Sequence, residues 1–77
     1  MFLEILTPDK KIFSGEASSV SVPGTEGRFQ VLNNHAPIIA TIQKGQVKVK
    51  TTEGEQLFEV NGGVIEVLKN KVVLLAE

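Results

Sequence analysis

Apolar residues come along this chain in short runs separated by turn formers, and no window of about 11 residues repeats them at helical spacing. Gln46 to Lys50 shows the period most cleanly. Val47 and Val49 point one way and Gln46, Lys48 and Lys50 the other, the pattern of a strand wet on one face. Ser19 to Val22 alternates in the same sense, with Val20 and Val22 as its buried pair. Phe2 to Leu6, Phe29 to Leu32, Ile38 to Ile42, Leu57 to Val60, Val64 to Leu68 and Lys71 to Ala76 supply further runs, too short for helices and rich in β-branched residues. Breakers stand between them at Thr7-Pro8-Asp9, Ser14-Gly15, Pro23-Gly24, Lys44-Gly45, Thr52-Glu53-Gly54, Asn61-Gly62-Gly63 and Lys69-Asn70. Lys10 to Phe13 resumes the first strand briefly before the break at Ser14-Gly15. About nine or ten short strands spaced by roughly 8 residues predict one all-β domain over residues 1–77, a flattened β-sandwich or barrel.

The pattern is organised around Pro23 to Gly45, which holds two of the three prolines, three of the seven glycines and the only histidine, His35. Gly24 and Gly27 bracket Thr25-Glu26, a spacing that predicts positive φ at both glycines and an acidic tip that stands out as a loop. Asn33-Asn34 tolerates left-handed conformations, and Pro37 holds Ala36 extended. Two loops, Thr25 to Arg28 and Asn33 to Ala36, are therefore expected as projecting neighbours, with His35 in the second.

Length and composition narrow the function classes. A chain of 77 residues buries only roughly 60% of its unfolded surface, so the core is thin and leaves no room for a large cavity. The lack of cysteine removes disulfides and thiolate metal sites and fits a reducing compartment. Eight basic residues nearly cancel nine acidic ones, which argues against a nucleic-acid partner and for a protein one. Glu4 and the lack of a basic region ahead of an apolar segment do not fit a secretory signal. The longest apolar run, Val72 to Ala76, falls far short of the roughly 18 residues of a membrane-spanning helix, so any membrane link is expected to be indirect.

Candidate chemistry is sparse. His35 is flanked by amides and Ala36 rather than carboxylates, and a nucleophile among Ser14, Ser18, Ser19 and Ser21 has no other imidazole to serve it. One histidine and scattered carboxylates give no metal-ligand spacing, so no metal and no cofactor are expected. The glycine-rich stretches open no helix and precede no lysine-serine pair, which makes them turns rather than phosphate cradles. Lys48 and Lys50 read as a solvated strand face, Glu59 and Glu66 as outward positions, and the four phenylalanines as core filling.

Taken in order, the segments FSG (Phe13 to Gly15), VSVPGTEGRF (Val20 to Phe29), VLNNHAPIIATI (Val31 to Ile42), KGQVKV (Lys44 to Val49) and FEVNGGVIEVLKNKVVLLAE (Phe58 to Glu77) resemble the epsilon subunit of bacterial F-type ATP synthase. The likeness covers essentially the whole chain. The resemblance implies a flattened β-sandwich at the foot of the central stalk, a non-catalytic rotor subunit packed on the gamma subunit and touching the ring of c subunits. It would couple proton translocation to ATP synthesis, held peripherally at the cytoplasmic face of the bacterial cell membrane. It also implies that the loops of Thr25, Glu26, Gly27 and Arg28 and of Asn33, Asn34, His35 and Ala36 face the c-ring.

Two departures bear on that expectation. Arg28 and Gln30 stand where members of the family commonly carry an acidic or neutral residue and a glycine, so the charge pairing with the ring does not carry over. The family also usually continues as a helical hairpin with inhibitory and nucleotide-sensing roles; this chain stops at Glu77, which reads as a short natural form or a trimmed one. The rival from another class is an independent small β-sandwich enzyme or ligand carrier that uses His35. A biotinyl or lipoyl carrier fits less well, because no lysine stands at a suitable hairpin tip.

Overall fold

Alternation at period two dictates what the chain builds. A computed structural model describes all residues, 1–77, and contains nine strands and no helix. They are β1 (Phe2–Leu6), β2 (Lys11–Glu16), β3 (Ser19–Gly24), β4 (Gly27–Leu32), β5 (Ile38–Ile42), β6 (Gly45–Thr51), β7 (Gly54–Val60), β8 (Gly63–Leu68) and β9 (Lys71–Ala76). Hydrogen bonds connect them in the order β2-β1-β9-β8-β5-β3-β6-β7, with β4 on the remaining edge of β3. The β5–β3 link is a single residue pair, Gly24 with Ile42. It is held by Thr25 N–H to the Thr41 carbonyl (3.1 Å) and Gln43 N–H to the Pro23 carbonyl (2.8 Å). The path therefore folds at that point into two leaves, a larger one of β2, β1, β9, β8 and β5 and a smaller one of β4, β3, β6 and β7.

The two leaves bury their apolar faces against each other. Leu3, Ile5, Ile65, Val72 and Leu74 from the larger leaf meet Val20, Val22, Val31, Val47 and Val49 from the smaller, each with no exposed surface. Burying one such side chain contributes roughly 1.5–3 kcal/mol. Phe13 of β2 and Phe58 of β7 close one long side edge to face, with ring centroids 5.8 Å apart at 63°. The β3–β5 junction closes part of the other.

The expected all-β sandwich of nine strands is what forms, and three local readings are corrected. Ser14-Gly15 is not a break: β2 runs through it in antiparallel register with β1, Glu4 opposite Ser14 and Leu3 opposite Gly15. The turn expected at Thr7-Pro8-Asp9 does form, where Thr7 and Lys10 exchange backbone and hydroxyl hydrogen bonds, and the next break comes at Ala17-Ser18. Second, β3 does not close at Pro23-Gly24 but includes both residues. Third, of Gly24 and Gly27 only Gly27 takes a positive φ, 131°. Gly24 is required for space instead, since a Cβ there would come within 2.7 Å of the Gly27 carbonyl oxygen and 2.8 Å of the Phe29 ring.

Turn chemistry explains the register of the last strands. Lys69 and Asn70 both lie at positive φ, 51° and 59°, the twist that a two-residue hairpin needs. Gly63, at φ 148°, sits where a Cβ would overlap the Leu75 carbonyl oxygen. At Gly15 the nearest atom to such a Cβ is Phe13 Cζ at 3.8 Å, so that glycine is not sterically required. Gly63→Ala should therefore lower stability by at least about 3 kcal/mol, and Gly15→Ala by under about 1 kcal/mol, as read from urea unfolding midpoints.

Candidate functional site

The loop residues singled out by sequence fall at the two ends of β4. At one end, Gly24 and Gly27 pair directly and leave Thr25-Glu26 as a two-residue hairpin tip. Thr25 ties the tip sideways to β5, with its hydroxyl 2.7 Å from that of Thr41. Glu26 projects exposed from this anchored base and makes no ion pair. Arg28 turns away from the tip: Nε donates to Ser21 Oγ (3.0 Å), and Nη2 donates to the Gln46 carbonyl (2.6 Å) and more weakly to that of Ser21 (3.4 Å). Its guanidinium lies across β3 to β6 on the outer face of the smaller leaf.

At the other end of β4 the Asn33–Ala36 loop is held by the chain's beginning and by the last hairpin. The Met1 amino group donates to Asn33 Oδ1 and to the Ala17 carbonyl (3.1 Å) and lies 3.5 Å from Glu16 Oε1. Asn34, at φ 62°, donates its N–H to Asn70 Oδ1 at 2.8 Å. His35 is half-buried; its N–H donates to the Leu32 carbonyl (3.2 Å), and its Nδ1, 2.7 Å from the Ala36 carbonyl, must carry the proton because a carbonyl can only accept. The serine hydroxyls that make side-chain hydrogen bonds face elsewhere, Ser18 to the Lys50 carbonyl and Ser21 to Arg28.

The expectation of two neighbouring loops is thus corrected. Phe29 to Leu32 of β4 separate them, roughly 17 Å of extended chain from Arg28 to Asn33 at about 3.4 Å per residue. What they share is the free edge of β4. That edge faces the free edge of β5 across a groove of about 620 Å³ whose walls include Glu26, Arg28, Phe29, Ile38, Ile39 and Ala40. Sequence reading missed this groove, because Ile38 to Ile42 reads only as a short apolar run. In the structure Ile39 is 71% exposed. Its odd position in the strand, between the inward Ile38 and Ala40, is the signal that could have revealed it. No group of three or more His, Cys, Asp or Glu side chains gathers to hold a metal, and no helix is long and apolar enough to cross a membrane.

The geometry is that of a small β-sandwich with an anchored acidic tip and an open edge groove, and the chain has clear relatives. The beta-sandwich domain family of the ATP synthase delta/epsilon chain matches residues 1–77. The ATP synthase epsilon chain of Chlorobium limicola is 43% identical over 76 residues, which span 97% of this chain and 86% of that protein. That of Salinibacter ruber is 40% identical, with 97% of this chain aligned to 56% of the longer relative. Among solved structures, a chain of the Euglena gracilis mitochondrial ATP synthase superposes with a TM-score of 0.89 at 21% identity, over 96% of this chain and 48% of that one, a likeness of fold. The chain belongs to the ATP synthase delta/epsilon family, as its β-sandwich domain.

The Asn34–Asn70 contact allows a test of how the second loop is held. Asn70→Gly keeps the positive φ of the hairpin but removes the acceptor for the Asn34 amide. The Asn34 N–H is expected to lose hydrogen-exchange protection, while global stability changes by less than about 1 kcal/mol.

Proposed function

We propose that this domain is a non-catalytic rotor subunit of a proton-translocating ATP synthase, holding the gamma subunit to the c-ring so that proton flow drives ATP synthesis. The observation that carries the reading is the family match over residues 1–77, together with relatives that bear the epsilon-chain name. The partners are gamma and the c-ring, and attachment to the cytoplasmic face of the bacterial cell membrane is peripheral, through the complex. The mechanism is mechanical. Torque passes without slip only through a body that does not shear, and strands with both edges paired and a dry interleaf core resist shear.

The geometry restricts how such a body meets the ring. Thr25 to Arg28 and Asn33 to Ala36 reach one surface only if that surface runs along the free edge of β4, so the sandwich lies with this edge toward the c-ring. Glu26 then offers the charge at one end and His35 the imidazole at the other. Arg28, already bonded to Ser21 and Gln46, steadies the tip rather than reaching out.

Glu26→Lys combined with His35→Ala should lower ATP-driven proton pumping in reconstituted membranes, with each exposed-loop change costing the isolated fold less than about 0.5 kcal/mol. Unchanged pumping would count against the ring assignment. A second expectation concerns hydrolysis. Residues 1–77 form a sandwich of nine strands without helix. Titrated into a catalytic subcomplex that lacks its epsilon subunit, this polypeptide should bind gamma and leave ATP turnover unchanged. A saturable fall in turnover would place the brake in the sandwich itself.

A further inference from the structure

Asn61-Gly62 carries the chain from β7 of the smaller leaf to β8 of the larger and takes no part in the edge proposed to face the ring. Asn61 is exposed, and no hydrogen bond holds its side-chain amide. Gly62 is buried. A Cβ on it would lie 3.3 Å from the Ile42 carbonyl oxygen and 3.3 Å from Glu77 Oε1, and its own carbonyl accepts the Glu77 N–H at 3.0 Å. The Gly62 N–H, by contrast, donates to no backbone carbonyl, which is rare for a buried residue.

An unheld asparagine amide next to a free backbone nitrogen is a reactive pair. Once the Gly62 nitrogen loses its proton to hydroxide, it can add to the side-chain carbonyl carbon of Asn61. The bond from that carbon to the amide nitrogen then breaks, ammonia leaves with a proton from solvent, and a five-membered succinimide remains. Water opens the ring at either carbonyl to give aspartate or β-linked isoaspartate, so the net change is one water consumed and one ammonia released. Glycine in the second position has no Cβ to obstruct the approach.

The other three asparagines are held against the same reaction. Asn33 Oδ1 accepts from the Met1 amino group, and the nitrogen that would attack it, that of Asn34, donates to Asn70 Oδ1 at 2.8 Å. For Asn34 the attacking nitrogen is that of His35, which donates to the Leu32 carbonyl at 3.2 Å. Asn70 has its Oδ1 engaged by Asn34, and Lys71 behind it pairs with Leu68 to close the last hairpin. Each hydrogen bond that must open before ring closure slows it by up to roughly tenfold. Asn61 has none to open.

The product would fall in a crowded place. Gly62 packs on Ile42, whose pairing with Gly24 makes the link between the leaves. Gly63 follows at φ 148°, where a Cβ would overlap the Leu75 carbonyl oxygen, so it has no room to absorb a shift. Isoaspartate adds one carbon to the backbone of this two-residue crossing. Both products add a negative charge to the segment that binds Glu77.

We propose that Asn61-Gly62 is a self-modification site, a slow clock in which the Gly62 nitrogen closes on the Asn61 amide, and that the isoaspartyl product releases Glu77 and loosens the junction of the two leaves. The reaction needs water and no partner, so its failure would leave the rotor reading standing.

The test is to age the purified chain in heavy-oxygen water at mildly alkaline pH and to follow the peptides of its four asparagines by mass spectrometry. Conversion at Asn61, with uptake of heavy oxygen, is expected to run at least about tenfold faster than at Asn33, Asn34 or Asn70. Aged chain, separated from intact chain by ion exchange, should lose hydrogen-exchange protection at the Glu77 N–H by at least about tenfold and unfold at lower urea. Asn61→Ser removes the electrophile and should keep both readings constant over the same incubation. Conversion at any of the other three asparagines as fast as at Asn61 would overturn the proposal. So would an Asn61 that stays intact while a free peptide of the Phe58 to Leu68 sequence converts completely. Conversion that leaves the Glu77 N–H protected would overturn the loosening of the junction.

Discussion

The structure turns on one corner, where β3 hands its edge from β6 to β5. Ser19 to Ser21 pair with Lys48 to Lys50, and Gly24 then pairs with Ile42. Pro23 and Gly24 are buried there, and a Cβ on Gly45 would come within 3.0 Å of Pro23. This crowding makes the chain bend between Ile42 and Gly45 rather than continue as one strand, and the bend stacks one leaf on the other. The same corner carries the Thr25–Thr41 contact. The hairpin tip therefore has its position fixed by the element that fixes the fold, and Glu26 projects from a rigid base.

Strand identity was legible because period two leaves a plain record. Val47 and Val49, Val20 and Val22, Ile65 and Val67 are all inward as their alternation predicts. What pairs with what was less legible. The first and last strands lie side by side in parallel, Phe2 beside Lys71 through Leu6 beside Leu75, and no local signal records a pairing between residues so far apart in sequence. The misplaced break at Ser14-Gly15 has a simple cause. Serine and glycine mark turns statistically, but an extended glycine opposite Leu3 costs little when the strand is paired and the neighbouring Phe13 fills the core.

The candidate site was legible as residues and not as a place. Thr25 to Arg28 and Asn33 to Ala36 are near in sequence, and only the knowledge that Gly27 to Leu32 is fully extended sends them to opposite ends. Arg28 makes the same point at the scale of one side chain. Its charge reads as an outward feature of the tip, yet three local acceptors draw it over the sheet. Glu66 reads as an outward position and is one, set between Ile39 and Val73 on a face that also carries Glu4 and Lys71.

A rotor component must transmit force between the surfaces it touches, and the short path between the β4 edge and the outward face of the larger leaf runs through β5. Ile38 to Thr41 line the edge groove, and Ile39 and Thr41 also belong to the outward face of the larger leaf. β5 is tied to β8 along five residue pairs and to β3 at the corner. Load arriving at the β4 edge therefore passes through β3 and the single Gly24–Ile42 pair of the corner into the β5–β8 ladder, backed by Ile42, Ile65 and Val67. Such a ladder is loaded across its bonds in concert, whereas a connecting loop would yield by rotating a few dihedrals. In a domain with so thin a core, stiffness comes from tying one strand, β5, to both leaves.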